Sequence, residues 1–533
     1  PYVTYVENNL FSCSADAQES IIERIQEFGL NRIVIAACTP RTHEPMFQET
    51  LKSARLNGFM VEMANIRNQN SWVHQQDSKS ATRKAKDQVR MAIAKVIYNY
   101  PLKQDRIKVV QKALVVGGGL VGIDSALTLA QLGIETILIE KSNILGGNAL
   151  TLETSFKEEN VRSMLEDLIS RVNRNKNITV YRKATLESVS GSVGNFKGVL
   201  NIAGEMEQID FGAAIMATGG KEAIPEEYLY GGEPRVMTQL EFDRKVLFHP
   251  DEVNKAQSIV FIQCVGSREP QRPYCSRVCC IHSVKAAIKL KKINPGIRVY
   301  ILYREIRTYG EWEEHYNEAR NLGAIFIRYE TIRKPKVKKE GGLLTIKVFD
   351  PIARKLIRIT ADYLALATGV VARDNQHIAE FFKFNVSSDG FFNGAHPKLK
   401  PVDLSVAGLF LAGICNYPKP LDESIEEARA AAFRVSALLL REEIKSEAIK
   451  CFVTDNCDGC ALCVDVCPFH ALSIIKTNGP KSKDKMKVVT DSALCQGCGL
   501  CAATCPNDGI MVHGFTLEQL RAQVCAAVNG EPR

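Results

Sequence analysis

Apolar and polar positions along the chain fall into two rhythms. Short unbroken apolar runs read as buried strands: Arg32-Ile-Val-Ile-Ala-Ala-Cys38, Leu114–Val116, Thr136-Ile-Leu-Ile-Glu140, Phe211–Gly220, Ser258-Ile-Val-Phe-Ile-Gln263, Asp362–Gly369 and Gly408–Gly413. Helical spacing marks Ser14–Phe28, with Ser14 or Asp16 as cap, then Lys79–Tyr98, Ile123–Leu132, Glu158–Asn173, His282–Lys292 and Ile425–Ile444. Short alternating strands lie between 174 and 212. Strands alternating with helices predict an α/β chain.

Composition changes this picture little. Apolar content is 45% and charged content 24%, ordinary for a globular protein, and 533 residues suffice for three or four domains. The net charge of +8 is spread along the chain, which excludes a nucleic-acid arm. Two basic runs, Arg333–Lys339 and Lys481–Lys487, read as solvated loops, the second with an acidic partner as an alternative. There is no secretory signal and no apolar run of membrane-spanning length, so the 17 cysteines point to a reducing, oxygen-poor cytoplasm rather than to disulfides. The chain opens at Pro1 rather than Met and is expected to lack an N-terminal piece.

Glycines carry the first motif. Leu114–Val116 runs into Gly117, Gly119 and Gly122, the spacing of a dinucleotide turn: Gly117 for the tight bend, Gly119 for close approach of a pyrophosphate, Gly122 for helix-on-strand packing. The next strand ends in Glu140, placed for a ribose hydroxyl. Lys141 and then Gly146-Gly147-Asn148 resemble flavoprotein disulfide reductases and imply FAD. Ala-Thr-Gly closes two strands, at Thr218-Gly219 and Thr368-Gly369. Paired strands of this kind flank the inserted domain of thioredoxin-reductase-like folds. Gly413 ends the last strand, but Ile414 and Cys415 stand where that fold has an aspartate on the flavin ribityl chain. Ser424 and Ile425 open a helix expected to point at the flavin. Lys419, just before it, reads as a flavin-tuning residue or as a surface lysine.

Cysteines carry the second motif. Cys457, Cys460, Cys463 and Cys467 form one C-x₂-C-x₂-C-x₃-C-P run, and Cys495, Cys498, Cys501 and Cys505 the other. Because the fourth cysteine of each run serves the other cluster, one [4Fe–4S] cluster takes Cys457, Cys460, Cys463 and Cys505, and the second takes Cys495, Cys498, Cys501 and Cys467. Cys264, Cys275, Cys279 and Cys280 follow the strand where a second glycine turn would be expected. They suit a four-iron cluster; zinc, which favours paired C-x₂-C elements, and a redox disulfide are the alternatives. Cys13 and Cys38 read either as ligands of a further [4Fe–4S] cluster completed from a missing segment or as two buried thiols. Cys415, Cys451 and Cys525 read as plain thiols.

With these residues in place the chain resembles the A subunits of heterodisulfide reductase and their bacterial relatives, among them flavoprotein subunits of the quinone-interacting oxidoreductase of sulfate reducers. The marks are Ala37-Cys-Thr-Pro-Arg-Thr-His-Glu-Pro45, Glu62–Arg67, Asn70–His74, Gln263–Arg268, Arg272–Cys280 and Arg304–Gly310. The archaeal form carries a further ferredoxin insert after the FAD Gly-Gly; here no cysteine falls between Asn148 and Cys264, as in the shorter bacterial type. The resemblance implies a thioredoxin-reductase-like two-nucleotide-fold flavoprotein core, with an N-terminal α/β domain and a C-terminal two-cluster ferredoxin domain. The expected domains are 1–100, FAD-binding 101–220 with 361–448, inserted 221–360, and ferredoxin-like 449–533. It implies FAD, two clusters in the C-terminal domain, one non-standard cluster on Cys264, Cys275, Cys279 and Cys280, and a possible fourth in the N-terminal domain.

The function implied is electron bifurcation or its reverse in a cytoplasmic complex, membrane-associated through other subunits if at all. Its partners would be other subunits of that complex, a hydrogenase, formate dehydrogenase or NADH-oxidising protein, and ferredoxin, assembled as a dimer of hetero-oligomers. A non-bifurcating conduit needs the same cofactors. An NADPH-dependent reductase like the small subunit of glutamate synthase needs a second glycine turn, which is absent. A wiring module without flavin conflicts with the Gly117–Gly122 turn and Glu140.

Overall fold

The computed structural model describes residues 2–155, 157, 159–479 and 482–528. They form two compact units, one of residues 108–444 and one of residues 1–107 with 445–533.

The first unit builds one plan twice. In its seven-stranded sheet, Lys112–Val116 lies between Glu135–Glu140 and Ala213–Met216, both parallel to it. Both faces of the central strand are covered, which is why Ala113, Leu114 and Val115 are fully buried and the run is apolar throughout. Helices Leu120–Gln131, Val161–Arg174 and Leu421–Leu439 pack on one face. A three-stranded antiparallel sheet, Ala184–Ser192, Asn195–Ile202 and Glu205–Phe211, and helix Gln376–Phe382 pack on the other. The second sheet has five parallel strands ordered Val236–Thr238, Tyr363–Leu366, Ser258–Ile262, Arg298–Tyr303, Ile325–Arg328. Helices Gln239–Phe248, Cys279–Ile293 and Trp312–Asn321 cover one face, and the antiparallel strands Lys336–Glu340, Leu343–Asp350 and Lys355–Ala361 the other. The segments after the two Ala-Thr-Gly strands, Gly220–Glu222 and Val370–Ala372, pair antiparallel and join the two halves of the plan.

In the second unit, parallel strands Ile33–Ala37 and Val61–Asn65 carry helices Ala15–Glu27, Pro40–Ser53 and Ser78–Val96. Phe47 and Leu51 centre its core. The C-terminal part pairs Cys451–Val453 with Ile510–Val512 and adds the hairpin Leu472–Gly479 and Ser482–Thr490. Helix Leu517–Val528 packs along Ser78–Val96, and Gln519, fully buried, donates to Asn99 Oδ1 at 2.9 Å.

Several expectations need correction. The Arg333–Lys339 run is a loop only at Lys334 and Pro335: Arg333 ends a short 3₁₀ turn, and Lys336–Glu340 is an edge strand with Lys336, Lys338 and Lys339 exposed. Of Lys481–Lys487, Lys481 lies outside the described residues and the rest belongs to the Ser482–Thr490 strand. Glu158 also lies outside them; the helix there is Val161–Arg174, capped by Asn160 at Ser163 N–H. Two helices start earlier than their apolar periodicity suggested. Cys279 and Cys280 sit in the first turn of Cys279–Ile293, and Ser424 and Ile425 sit inside Leu421–Leu439.

Candidate functional site

A cavity of about 870 Å³ opens at the carboxyl ends of the first unit's central strands. Gly117, Gly119, Glu140, Lys141, Gly146, Gly147 and Asn148 line one side. The turn depends on missing side chains. Gly117 has φ +115°, and a Cβ on Gly122 would lie 1.8 Å from Gly117 O. A Cβ on Gly119 would meet no protein atom within 4 Å, so this glycine faces the open cavity. Glu140 accepts the N–H groups of Gly118 and Ser142, each at 2.8 Å, which fixes its carboxylate at the rim. The void, the bare backbone and the N-terminus of Leu120–Gln131 fit a dinucleotide cofactor.

The remaining candidates divide. Thr218, Gly219, Gly369, Lys419 and Ser424 also line the cavity. Thr368 does not; it is buried with Oγ1 unpartnered. Gly413 does not; its N–H donates to Glu427 Oε2 at 3.0 Å. Ile425 packs against the helix-covered core instead, because it lies one turn inside its helix. The surface-lysine alternative for Lys419 fails. Its side chain is fully buried, ion-paired with Glu427, and its Nζ lies 3.8 Å from the Tyr417 ring centroid. Burial pushes the Lys419 ammonium below its ordinary range, and Glu427 opposes that shift. Glu427 thus holds both Gly413 and Lys419 beside the Ile414-Cys415 pair that replaces the usual aspartate. The cysteine at 415 is buried, its thiol donating to Met216 O and Ala412 O.

Sequence reasoning missed Arg373 and Asn375. Asn375 donates to Thr218 Oγ1 at 3.0 Å, and Arg373 contacts Asn148 Oδ1 at 3.3 Å. Only the pairing of 220–222 with 370–372 brings them to this rim. His282, bonded to Asp243 at 2.6 Å, lines the far wall and was missed as well.

That wall also contains Cys279. Cys264, Cys275, Cys279 and Cys280 are close enough to act on one another. Burial, then the neighbouring thiolates, raises the Cys279 thiol well above its ordinary range; burial first also raises Cys280, to about 12. Bare thiolates at Cys264, Cys279 and Cys280 are therefore unfavourable here, and a cationic metal centre would relieve them. The side chains do not close to the geometry of a single metal ion, there or elsewhere among the described residues.

The loop is held by staples. Arg272 donates to Gly266 O (2.7 Å), Val265 O (3.0 Å) and Thr368 O (2.7 Å). Tyr274 Oη donates to Val370 O, and Ser276 Oγ accepts Val370 N–H at 2.9 Å. Arg277 forms two bonds to Glu423, near the start of the Leu421–Leu439 helix. Cys264, Arg268 and Arg277 all have φ near +60°, a region side chains rarely adopt. A glycine at 264 would cost less, so the cysteine there points to chemistry rather than to folding.

In the other unit, Cys467, Cys495, Cys498 and Cys501 surround one small void, with Cys451 beside them. Cys463 feels Cys505, Cys457 and Cys460. Gly509 N–H points at Cys505 Sγ (3.1 Å) and Ala471 N–H at Cys467 Sγ (3.4 Å). Cys451, a free thiol, lies against this group: its Sγ is 3.5 Å and its N–H 3.3 Å from Cys495 Sγ. Cys525 is exposed on the last helix. Cys38 is buried at a strand end, but Cys13 is exposed, so the two-buried-thiols alternative fails for Cys13. Among the described residues no helix is long and apolar enough to cross a membrane.

Comparison with known proteins gives two family matches, "4Fe-4S dicluster domain" over residues 456–508 and "Pyridine nucleotide-disulphide oxidoreductase" over 63–204 and 111–262. The chain is 33% identical to an iron–sulfur A subunit of the CoB–CoM heterodisulfide reductase of Methanopyrus kandleri, covering 88% of this chain and 86% of that one. It is 32% identical to the A subunit of the H(2):CoB-CoM heterodisulfide,ferredoxin reductase of Methanothermobacter thermautotrophicus, covering 89% and 86%. It is 30% identical to a protein of Archaeoglobus profundus described as like the A subunit of heterodisulfide reductase, covering 98% and 93%. Among solved structures, T. acidophilum thioredoxin reductase aligns with 62% of the chain and all of its own, at 14% identity and a TM-score of 0.44.

Proposed function

The chain belongs to the family of heterodisulfide reductase A subunits, oxidoreductase components carrying flavin and iron–sulfur groups, and we propose that it joins two-electron and one-electron transfer in a heterodisulfide-reductase-like complex. Flavin exchanges electrons in pairs or singly, and iron–sulfur clusters carry them one at a time. The chain's own residues position those groups. The Gly117–Gly122 turn and Glu140 hold the nucleotide half of FAD. Lys419, fixed by Glu427, places a buried cationic group at the cavity wall. Cys264, Cys275, Cys279 and Cys280 hold one [4Fe–4S] cluster. Cys457, Cys460, Cys463 and Cys505 hold another, and Cys495, Cys498, Cys501 and Cys467 a third.

One observation carries this reading: Cys279 belongs both to the cavity wall and to the cysteine quartet. The quartet follows the Ser258–Ile262 strand and opens a helix, the place that Gly117–Gly122 occupies in the first sheet. A second nucleotide turn is thereby replaced by a cysteine loop. Electrons then enter or leave through protein rather than by hydride from a diffusible nicotinamide.

We further propose bifurcation or confurcation between a two-electron partner, such as a hydrogenase, formate dehydrogenase or NADH-oxidising protein, and ferredoxin. The name of the Methanothermobacter relative, which couples a heterodisulfide with ferredoxin, supports this. The complex is placed in the cytoplasm, with any membrane association supplied by other subunits. Cys279→Ser tests the core of the reading. Iron should fall by about four per chain, FAD should remain, and flavin bleaching by reduced ferredoxin should slow at least ~100-fold, the cost of displacing a reacting partner. Unchanged iron, or unchanged bleaching, would contradict it.

A further inference from the structure

We propose that the surface around Trp72, at the carboxyl edge of the N-terminal sheet, docks a small acidic electron-transfer protein. The strands Ile33–Ala37 and Val61–Asn65 run parallel and end side by side, with Ala37 opposite Asn65. Buried Cys38 follows the first strand. A single π-helical turn, Arg67–Ser71, follows the second. Such turns in otherwise regular structure gather at functional sites, and the carboxyl edge of parallel strands is the usual binding edge of α/β folds.

Two bonds lock the turn. Asn65 Oδ1 accepts Asn68 N–H at 2.9 Å, and buried Asn70 donates to Ala81 O at 2.7 Å, clamping the turn to the first half of the Ser78–Val96 helix. What the turn presents is apolar. Trp72 is 57% exposed and Val73 63%. A rigid backbone holding an indole more than half exposed to water is unusual, and tryptophan and arginine are the residues richest in binding energy at protein interfaces.

The rim is cationic. The Arg67 guanidinium lies 5.0 Å from the Trp72 ring centroid. Lys84 Nζ lies 3.1 Å from His74 Nε2. Lys79, Arg83 and Lys86 recur at i, i+4 and i+7, so they form one exposed stripe on the helix. Among the described residues, no carboxylate is ion-paired with Lys79, Arg83, Lys84 or Lys86. The acids of the segment have other close partners: Asp77 caps the helix at Ser80 N–H and attracts Arg83 only at longer range, and Asp87 pairs with Arg90.

An apolar centre with a positive rim complements an apolar patch with a negative rim. Nucleic acid fits less well: the positive surface is one short stripe, and the chain as a whole carries 68 basic against 60 acidic residues. The inference rests on the electron-transfer reading above, which requires that electrons reach a partner through protein contact.

The test measures binding of the cofactor-loaded chain to an acidic two-[4Fe–4S] ferredoxin, and in parallel to duplex DNA, from about 20 to 300 mM salt. Wild type should bind ferredoxin, more weakly as salt rises. Lys79→Glu with Arg83→Glu should weaken binding at least ~10-fold at low salt and flatten the salt dependence. Trp72→Ala should weaken it ~10-fold or more at every salt concentration. Lys336→Glu with Lys338→Glu, on the exposed edge strand of the other unit, should leave it unchanged. FAD and iron content, measured on each variant, should not move, which separates this outcome from failure of the electron-transfer reading. Absence of ferredoxin binding, variants that bind like wild type, equal loss in the control pair, or DNA binding with the same dependence on Lys79, Arg83 and Trp72 would each overturn the proposal.

Discussion

The eight cysteines of the two C-terminal runs and the four of residues 264–280 offer iron the same donor atoms, yet the two regions are built in opposite ways. In the C-terminal region the cysteines are the core. Among the described residues, Cys451, Cys463, Cys495 and Cys501 share its buried cluster with Ala471, Leu472, Val488, Ile510 and Val512. In the loop the core is complete without them: Ile259, Phe261, Val284, Ala287, Val299 and Ile301 are all at most 1% exposed, and the loop is fastened onto that block by side-chain staples. One region should need its metal to fold. The other should need it only to carry electrons.

Removing iron tests that contrast most severely. Amides across 451–512 should lose hydrogen-exchange protection, because a small metallodomain draws its folding energy from metal binding. Amides of Ser258–Ile262 and Arg298–Tyr303 should stay protected. Equal loss in both regions would erase the distinction.

Arg272→Ala comes next in size. It removes charged donors from Gly266 O, Val265 O and Thr368 O. Urea unfolding of the iron-free protein should show a loss of about 3 kcal/mol in the first unit. A change below about 1 kcal/mol would mean that water replaces the staples.

Cys264→Gly should act in the opposite direction. Relieving the left-handed backbone at φ +58° should stabilise the iron-free first unit by about 1 kcal/mol while removing one ligand of the cluster proposed for the loop. Ala461→Gly, at φ +70° between cysteines of the first C-terminal run, should give the same relief in the iron-loaded protein without loss of iron. A destabilised Cys264→Gly would show that the thiol supports the fold itself.

Cys451→Ala should have the smallest effect. Losing a thiol 3.5 Å from Cys495 Sγ should make the potential of the cluster on Cys495 more negative by about 40 mV, roughly 1 kcal/mol for one electron. EPR-monitored titration should find the other C-terminal cluster unmoved. Equal shifts in both would reject a local hydrogen-bond effect.

The same contrast explains what could be read from sequence. The C-terminal runs carry their grouping in local spacing, and the structure gathers Cys467 with the second run and Cys505 with the first. The parallel strands were equally legible, since burial on both faces makes them continuously apolar. The helix starts at Cys279 and Leu421 were not, because their first turns are spent on cysteines and acids whose roles are tertiary. Lys419 looked like a surface residue because nothing nearby in sequence shows that Glu427, two turns along a helix, neutralises it. Arg373 and Asn375 reach the cavity through a strand pairing across about 150 residues, which no local pattern encodes.

If the cysteine loop replaces a nicotinamide as the route to the flavin, a protein donor should reach the flavin and a free nicotinamide should not. Anaerobic stopped-flow absorbance at the flavin band tests it directly. Reduced ferredoxin should bleach the flavin of the cofactor-loaded chain, and NADPH or NADH alone should not. Rapid bleaching by either nicotinamide in the absence of partner proteins would contradict the account.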